Sequence, residues 1–173
     1  MTEPEWRVRI GQEADRALLG SFKCADPASV FEVEVESFVQ SSALSWSLDQ
    51  GAAVDDPRLL LVVTTGVDEL VGVAAHERVI LQGPGGPLNA TKLEVVALAR
   101  AWQGRRFESG ERASDVLMSA AMADISVRMP PRDTHVLAFV HAGNERSLAL
   151  VHRHGFTVEL SSPDPAYRRF ITA

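Results

Sequence analysis

The stretch from Leu59 to Ile80 constrains the fold of this chain more than any other. An apolar, β-branched run from Leu59 to Thr64 reaches a tight Gly66-Val67-Asp68-Glu69 connection and is answered by a second run from Leu70 to Ile80. Two strands joined by so short a link form an antiparallel hairpin. Gly83-Pro84-Gly85-Gly86-Pro87 then reads as an exposed loop, and Lys92 to Arg100 as a third strand. Any fold for this chain must be built around that meander.

The flanking segments supply helices to cover it. Trp6 to Ile10 alternates like a short strand, and Gln12 to Gly20 reads as a helical turn or two. From Ser29 to Leu48, Phe31, Val35, Phe38, Val39 and Ala43 recur at helical spacing, which predicts one helix with its acidic residues on a wet face. Gly51 to Pro57 is a turn-rich break. Glu111 to Met129 is the most regular helix, ended by Pro130-Pro131. His135 to His141 is a strand, Asn144 to His154 a helix stopped by Gly155, and Phe156 to Leu160 and Tyr167 to Ile171 are terminal strands. This order argues for an α+β fold: a mixed, mostly antiparallel central sheet flanked by helices, with residues 1–173 as one domain.

Charge and cysteine content narrow the function classes. The formal charge is −6, with 17 Lys plus Arg against 23 Asp plus Glu, so non-specific nucleic-acid binding is not expected. Arg100, Arg105, Arg106 and Arg112 nevertheless fall close together and could form a local anion site. Cys24 is the sole cysteine, which rules out an internal disulfide, argues against a zinc site and suits a reducing cytoplasm. It reads as a small buried residue, not as a nucleophile. No apolar run approaches the roughly 20 residues of a membrane span, so no membrane partner is expected.

Two separated segments resemble the GNAT superfamily of acyl-CoA-dependent N-acetyltransferases. The first, Leu93 to Arg106, looks like the family's central strand entering its pyrophosphate loop. The second, Val140 to Phe156, keeps the spacing of the family's strand, its Asn-x-x-(Ala/Ser) helix start and its terminal Gly-Phe. The resemblance implies the GNAT fold and acetyl-CoA, or another acyl-CoA, as cosubstrate without a metal. It implies acyl transfer to a primary amine of a small molecule or protein by direct attack in a ternary complex. It also brings homodimerisation as a family expectation.

The implied cosubstrate contacts are Leu98, Ala99 and Arg100 along the strand end, then Gln103, Gly104, Arg105, Arg106, Gly110, Arg112, Ser114, Asn144 and Ser147. A diphosphate needs several uncrowded donors. Backbone N–H groups of a loop leading into a helix N-terminus supply them, and arginines add charge-assisted bonds. Gly104 lies thirteen residues before Leu117, about six more than the family's loop holds. Read backwards from Leu117, Gly110, Arg112 and Ser114 take the glycine-rich positions instead, so either the loop bulges between Gly104 and Gly110 or the second segment holds the phosphates alone, and both ends are expected to contribute.

For proton transfer, Glu94 is the favoured base, because an acid inside an apolar strand is costly unless it is used or paired. Where the family places a Tyr acid, this chain has Val151. His152 is adjacent, although one helical step turns a side chain by about 100°. Two rival readings are a non-catalytic acyl-CoA-binding or sensing module and a toxin that acetylates aminoacyl-tRNA. Low basicity counts against the toxin.

Overall fold

The computed structural model describes residues 5–48, 57–129 and 135–172. In chain order its elements are β1 (Trp6–Ile10), α1 (Arg16–Gly20), α2 (Val30–Ser41), α3 (Ala43–Leu48), β2 (Arg58–Thr64), β3 (Leu70–Gly83), β4 (Gly86–Leu98), α4 (Ala113–Arg128), β5 (Val136–His141), α5 (Glu145–Arg153), β6 (Val158–Leu160) and β7 (Tyr167–Ile171). The expected break at Gly51 to Pro57 and the Pro130-Pro131 stop fall, apart from Pro57, outside the described residues. Among the described residues no helix is long and apolar enough to cross a membrane.

These strands form one sheet in the order β1-β2-β3-β4-β5-β7-β6. All neighbours are antiparallel except β4 and β5. Helices α4 and α5 cover one face, where Leu117, Met118, Phe156 and Phe170 form a fully buried centre with Val62, Val71 and Val136. On the other face the α1–α3 region packs Leu19, Phe22, Val39 and Leu44 against Leu59, Leu61, Val73 and Ala75. Strands buried on both faces read as continuous apolar runs, which is the pattern of β2 and of the first half of β3.

Two expected elements differ. The single helix from Ser29 to Leu48 is two helices, broken at Ser42, whose φ of −123° leaves the helical region. Serine competes locally for backbone hydrogen bonds, and the break turns Ala43 and Leu44 into the core. The Gly-Pro loop from Gly83 to Pro87 is a tight hairpin turn, with Gly83 paired to Gly86 and Pro87 to Gln82. Pro84 fixes one turn dihedral and Gly86 takes φ +109°, so β3 and β4 run on to the turn itself.

Candidate functional site

The parallel pair β4–β5 holds together over only three rows: Thr91 with Val136, Lys92 with Leu137 and Leu93 with Ala138. Both strands continue, β4 to Leu98 and β5 to His141, but they no longer pair with each other. Each stays bonded to its outer neighbour, β4 to β3 and β5 to β7. The sheet is therefore split from its middle to one end. Both margins of the gap carry strand N–H and C=O groups turned away from a ladder, and an extended ligand with amide groups can pair with them.

A bulge marks the head of this gap. Ala75 pairs with Val95 and His76 with Leu93, so Glu94 is the extra residue on β4. The bulge shifts the alternation: Leu93 belongs to the core under α4, whereas Val95 belongs to the core under α1–α3. Glu94 accordingly lies beside Lys92, its carboxylate 2.6 Å from Nζ. Glu77 stands across from Lys92 on β3. Burial, then the negative charge of Glu94, raises the pKa of Glu77, with Lys92 partly offsetting both. Lys92 Nζ also lies 5.5 Å from the centre of the Phe139 ring on β5.

Further along the same gap, His141 at the end of β5 is stacked on Phe31 of α2 at 4.7 Å and meets Tyr167 of β7 edge-on at 5.4 Å. Gly143 N–H donates to His141 Nδ1 at 3.1 Å, which in the neutral ring puts the proton on Nε2. Tyr167 Oη donates to Glu34 at 2.7 Å, and that bond, then burial, raises the phenol pKa. Sequence reading missed Glu77, His141 and this bridge. No local motif could have revealed them, because only the sheet order brings β3, β5, β7 and α2 together.

The segment after β4 is held on several sides. Leu98 packs toward the α4 core and Ala99 toward the opposite one. Arg100 N–H donates to Lys23 O at 2.7 Å, and its guanidinium pairs with Asp26 at 2.8 Å. Gln103 donates to Cys24 O and accepts from Arg146 of α5 at 3.0 Å. The Gln103 amide thus clasps three segments together. Lys23, Arg100, Gln103 and Arg105 line an open recess of about 720 Å³ on the α1 side. Cys24 is buried here, and burial followed by the charges of Glu36 and Glu32 pushes its thiol pKa up to about 12, which keeps it protonated.

The additional loop residues form a small hairpin. Arg106 and Arg112 face each other as a single bridge, flanked by Phe107 N–H to Glu111 O at 2.9 Å and Ala113 N–H to Arg105 O at 3.2 Å. Gly104 and Gly110 take φ of +73° and +87°, which glycine adopts without strain. Arg105 stacks over Trp102 at 5.9 Å, and Arg106 donates to Gly110 O at 2.6 Å. Arg112 is the N-cap of α4, and its carbonyl accepts from Asp115 and Val116, both at 3.0 Å. Ser114 lies in that first turn. In a bridge of this kind the N–H groups of Arg106 and Arg112 point outward from the hairpin.

Asn144 caps α5, its side chain accepting from Ser147 N–H at 3.1 Å. The structure brings Leu98 to Arg106, Arg112 and Asn144 to the open end of the gap, and Glu94 to its head. It does not bring His152 there. That residue sits in the last turn of α5, where Nδ1 lies 3.1 Å from Phe156 O and the ring meets Phe170 edge-on at 5.0 Å. Val151 is buried.

No protein-family model and no curated protein matches the chain in sequence. Solved structures match it in fold. A mutant of the toxin AtaT bound to the C-terminus of the antitoxin AtaR and acetyl-CoA is 17% identical, with a TM-score of 0.62 over 98% of this chain and 94% of that one. AtaT complexed with acetyl-methionyl-tRNAfMet is 16% identical, with a TM-score of 0.65 over 95% of this chain and 93% of that one. An acetyltransferase of the GNAT family from Staphylococcus aureus is 8% identical, with a TM-score of 0.65 over 96% and 98% of the two chains.

Proposed function

Since this chain has the fold of the GNAT acetyltransferases, we propose that it acts, as one domain, as an acyl-CoA-dependent N-acyltransferase whose donor arm lies in the gap between β4 and β5. The observation that carries the reading is the parallel ladder that ends at Leu93 and Ala138 while both strands run on. An acyl-CoA arm is extended and amide-bearing, and the released margins offer it matching donors and acceptors. When bound, acyl-CoA supplies a thioester as the acyl donor.

Each end of the gap has its own task. The outward N–H groups of the hairpin, with Arg105, Arg106 and Arg112, suit a diphosphate. Leu98, Ala99 and Arg100 line the approach to it, Gln103 and Asn144 hold its walls in place, and Gly104, Gly110, Ser114 and Ser147 leave room for it. At the head, the acceptor amine attacks the thioester carbon, forming the C–N bond as the C–S bond breaks. Glu94, directly or through water, takes the proton lost by nitrogen. The departing thiolate takes a proton from solvent or from a nearby donor. His141 Nε2–H is better placed for this than His152, whose ring is committed to the C-terminal end of α5.

Acidic and aromatic groups line the gap, Glu77, Glu94 and Phe139 near its head and His141, Phe31 and Tyr167 further along it. Such walls favour a cationic amine, of a small molecule or a protein, in a cytoplasmic setting. A second reading takes aminoacyl-tRNA as acceptor, favoured by the fold match to AtaT in complex with acetyl-methionyl-tRNAfMet. A third is acyl-CoA binding without turnover.

One experiment separates them. Acetyl-CoA binding is measured by calorimetry for the native protein and for Arg105→Ala/Arg106→Ala, and turnover is then assayed with an amine panel and with charged tRNA. The reading expects binding that weakens at least about tenfold in the arginine variant, each lost charge-assisted bond being worth ~1.5–3 kcal/mol. It also expects turnover that falls roughly 10²–10⁴-fold in Glu94→Gln. Binding with no turnover would leave the sensing module, acetylation of charged tRNA alone would select the second reading, and absent binding would end the acyltransferase reading.

A further inference from the structure

Strand β7 places an arginine on each face of the sheet, and one of them is unanswered. Arg168 lies on the α5 side over the Phe170 ring, and Glu159 holds its guanidinium through two bonds of 2.8 and 2.7 Å. Arg169 lies on the other face, opposite Phe139 of β5 and Leu160 of β6. It is half-buried, its Nε is enclosed, and among the described residues its side chain has neither a hydrogen-bond acceptor nor a carboxylate partner. Arg9 and Arg58 also have an enclosed, unbonded Nε, but Arg9 reaches Asp15 at 2.5 Å and Arg58 reaches Asp124 at 3.4 Å. An enclosed N–H without an acceptor is costly, so a cation in this state calls for an anion.

That cation stands beside the head of the gap. Directly opposed residues of an antiparallel pair share a face, so Arg169 lies next to Phe139, and Lys92 Nζ lies 5.5 Å from the centre of the same ring. Glu94 is bonded to Lys92 at 2.6 Å, and Glu77 stands across from Lys92. Glu94 and Phe139 are the first residues beyond the last paired row, one on each margin. From β4 across β5 to β7 is two strand spacings, about 10 Å, which a small ligand between a glutamate and an arginine side chain can span. Glu77, Glu94, Lys92 and Arg169 thus put charges of both signs around one aromatic ring.

We propose that Arg169 binds a carboxylate of the acceptor, and that the acceptor is therefore an amino acid, its amine held toward Glu77 and Glu94 and its acid group by Arg169. This deepens, and rests on, the acyltransferase reading. A guanidinium fork takes a carboxylate through two parallel bonds, and its single charge matches one carboxylate more closely than a nearly dianionic phosphate. The apolar flanks, Phe139 and Leu160, lower the local dielectric and strengthen the pair. Arg169 also selects by exclusion, because a diamine would bring a second ammonium against it. The bond changes stay those of amine attack on the thioester, and the carboxylate only orients the nucleophile.

The test compares each common amino acid with its decarboxylated amine as acetyl acceptor, for the native protein, Arg169→Met and Arg169→Lys. Acetyl-CoA calorimetry and nuclear magnetic resonance of the arginine Nε–H groups accompany it. The expected result is a native kcat/KM at least about tenfold higher for the amino acid of the best pair than for its amine. Arg169→Met removes that preference mainly through KM, Arg169→Lys retains part of it, and both bind acetyl-CoA as the native protein does. The Arg169 Nε–H resonance, identified by its loss in both variants, shifts on adding the amino acid and not on adding the amine. Native preference for the decarboxylated amines overturns the inference, and so does a preference that survives in Arg169→Met. If Arg169→Met does not fold, the native preference, Arg169→Lys and the resonance decide. Acetyl-CoA binding without acetylation of any amino acid overturns the inference and leaves the acyltransferase reading standing. Absent acetyl-CoA binding ends that reading instead, and the resonance alone then decides whether Arg169 is a carboxylate site.

Discussion

Glu36 is a carboxylate with an architectural task. It is 5% exposed on α2 and accepts from Cys24 N–H at 2.8 Å, Ala25 N–H at 3.1 Å and Lys23 Nζ at 3.2 Å. Burial alone would raise its pKa, but these donors outweigh it, and the net shift is downward from 4.5. A carboxylate held low in the folded state stabilises the fold fully above its unfolded pKa, and that stabilisation is lost as pH falls through the lower folded value. Glu36→Gln should therefore destabilise the protein at pH 7 by about 1–3 kcal/mol, the cost of weakening buried donors' acceptors. The difference from the native protein should shrink as the pH falls below the usual carboxylate value of 4.5 and through the lower folded one, measured as paired urea midpoints. A gap that stays constant with pH would mean the carboxylate's charge is not what holds the Lys23–Ala25 loop. That loop carries the Cys24 carbonyl clasped by Gln103 and the Lys23 carbonyl bonded to Arg100, so the acidic residue of one helix anchors the segment entering the candidate phosphate loop.

At the scale of elements, close approach decides what the sheet tolerates beside the gap. Gly72 of β3 pairs with Leu98 of β4, and a Cβ at Gly72 would meet Ala97 O at 2.8 Å and Leu117 Cδ2 at 2.9 Å. Neither contact is the loose end of a flexible surface chain. Gly72→Ala should cost about 1–3 kcal/mol by overpacking, push β4 away from β3 and weaken acetyl-CoA binding along Leu98. Thermal unfolding together with calorimetry checks this, and a variant of native stability would mean that β4 yields freely there. Gly72 looked in the sequence like a small residue in an apolar run, and no periodicity distinguishes a glycine that is merely tolerated from one that is required.

The same limit explains what else was legible. α4, β5, α5 and β7 stand within one or two residues of their expected bounds, because capping, helical spacing and glycine stops are local signals. The Ser42 break and the Gly83–Gly86 turn were not legible, since the first is set by burial of Ala43 and Leu44 and the second by cross-strand register. Of the candidate site, the loop arginines and Glu94 were visible as residue types in a pattern. Glu77, His141 and the Tyr167–Glu34 bridge exist only once strand order is known.

Across the whole molecule, the sheet is two half-sheets, β1 to β4 and β5 to β7, joined directly by three parallel rows and indirectly by the helices. On the open side of the gap, Phe139, Val140 and His141 have ladder partners only on β7. Strand margins bonded on one side open locally more readily than central ones. A ligand that binds only the folded state adds RT ln(1 + [L]/Kd), about 2.7 kcal/mol at a hundredfold excess over Kd. That gain is spread unevenly over the structure if the ligand bridges the two halves. Acetyl-CoA should therefore slow amide exchange most at residues 139–141, at the start of α5 and at residues 104–106, while leaving β1 and β2 close to their ligand-free rates. Protection confined to the recess between residues 18–23 and 99–105 would move the cosubstrate to the α1 side of the sheet. In that case the gap would be left as the acceptor channel, and Glu94 would face the amine without facing the thioester.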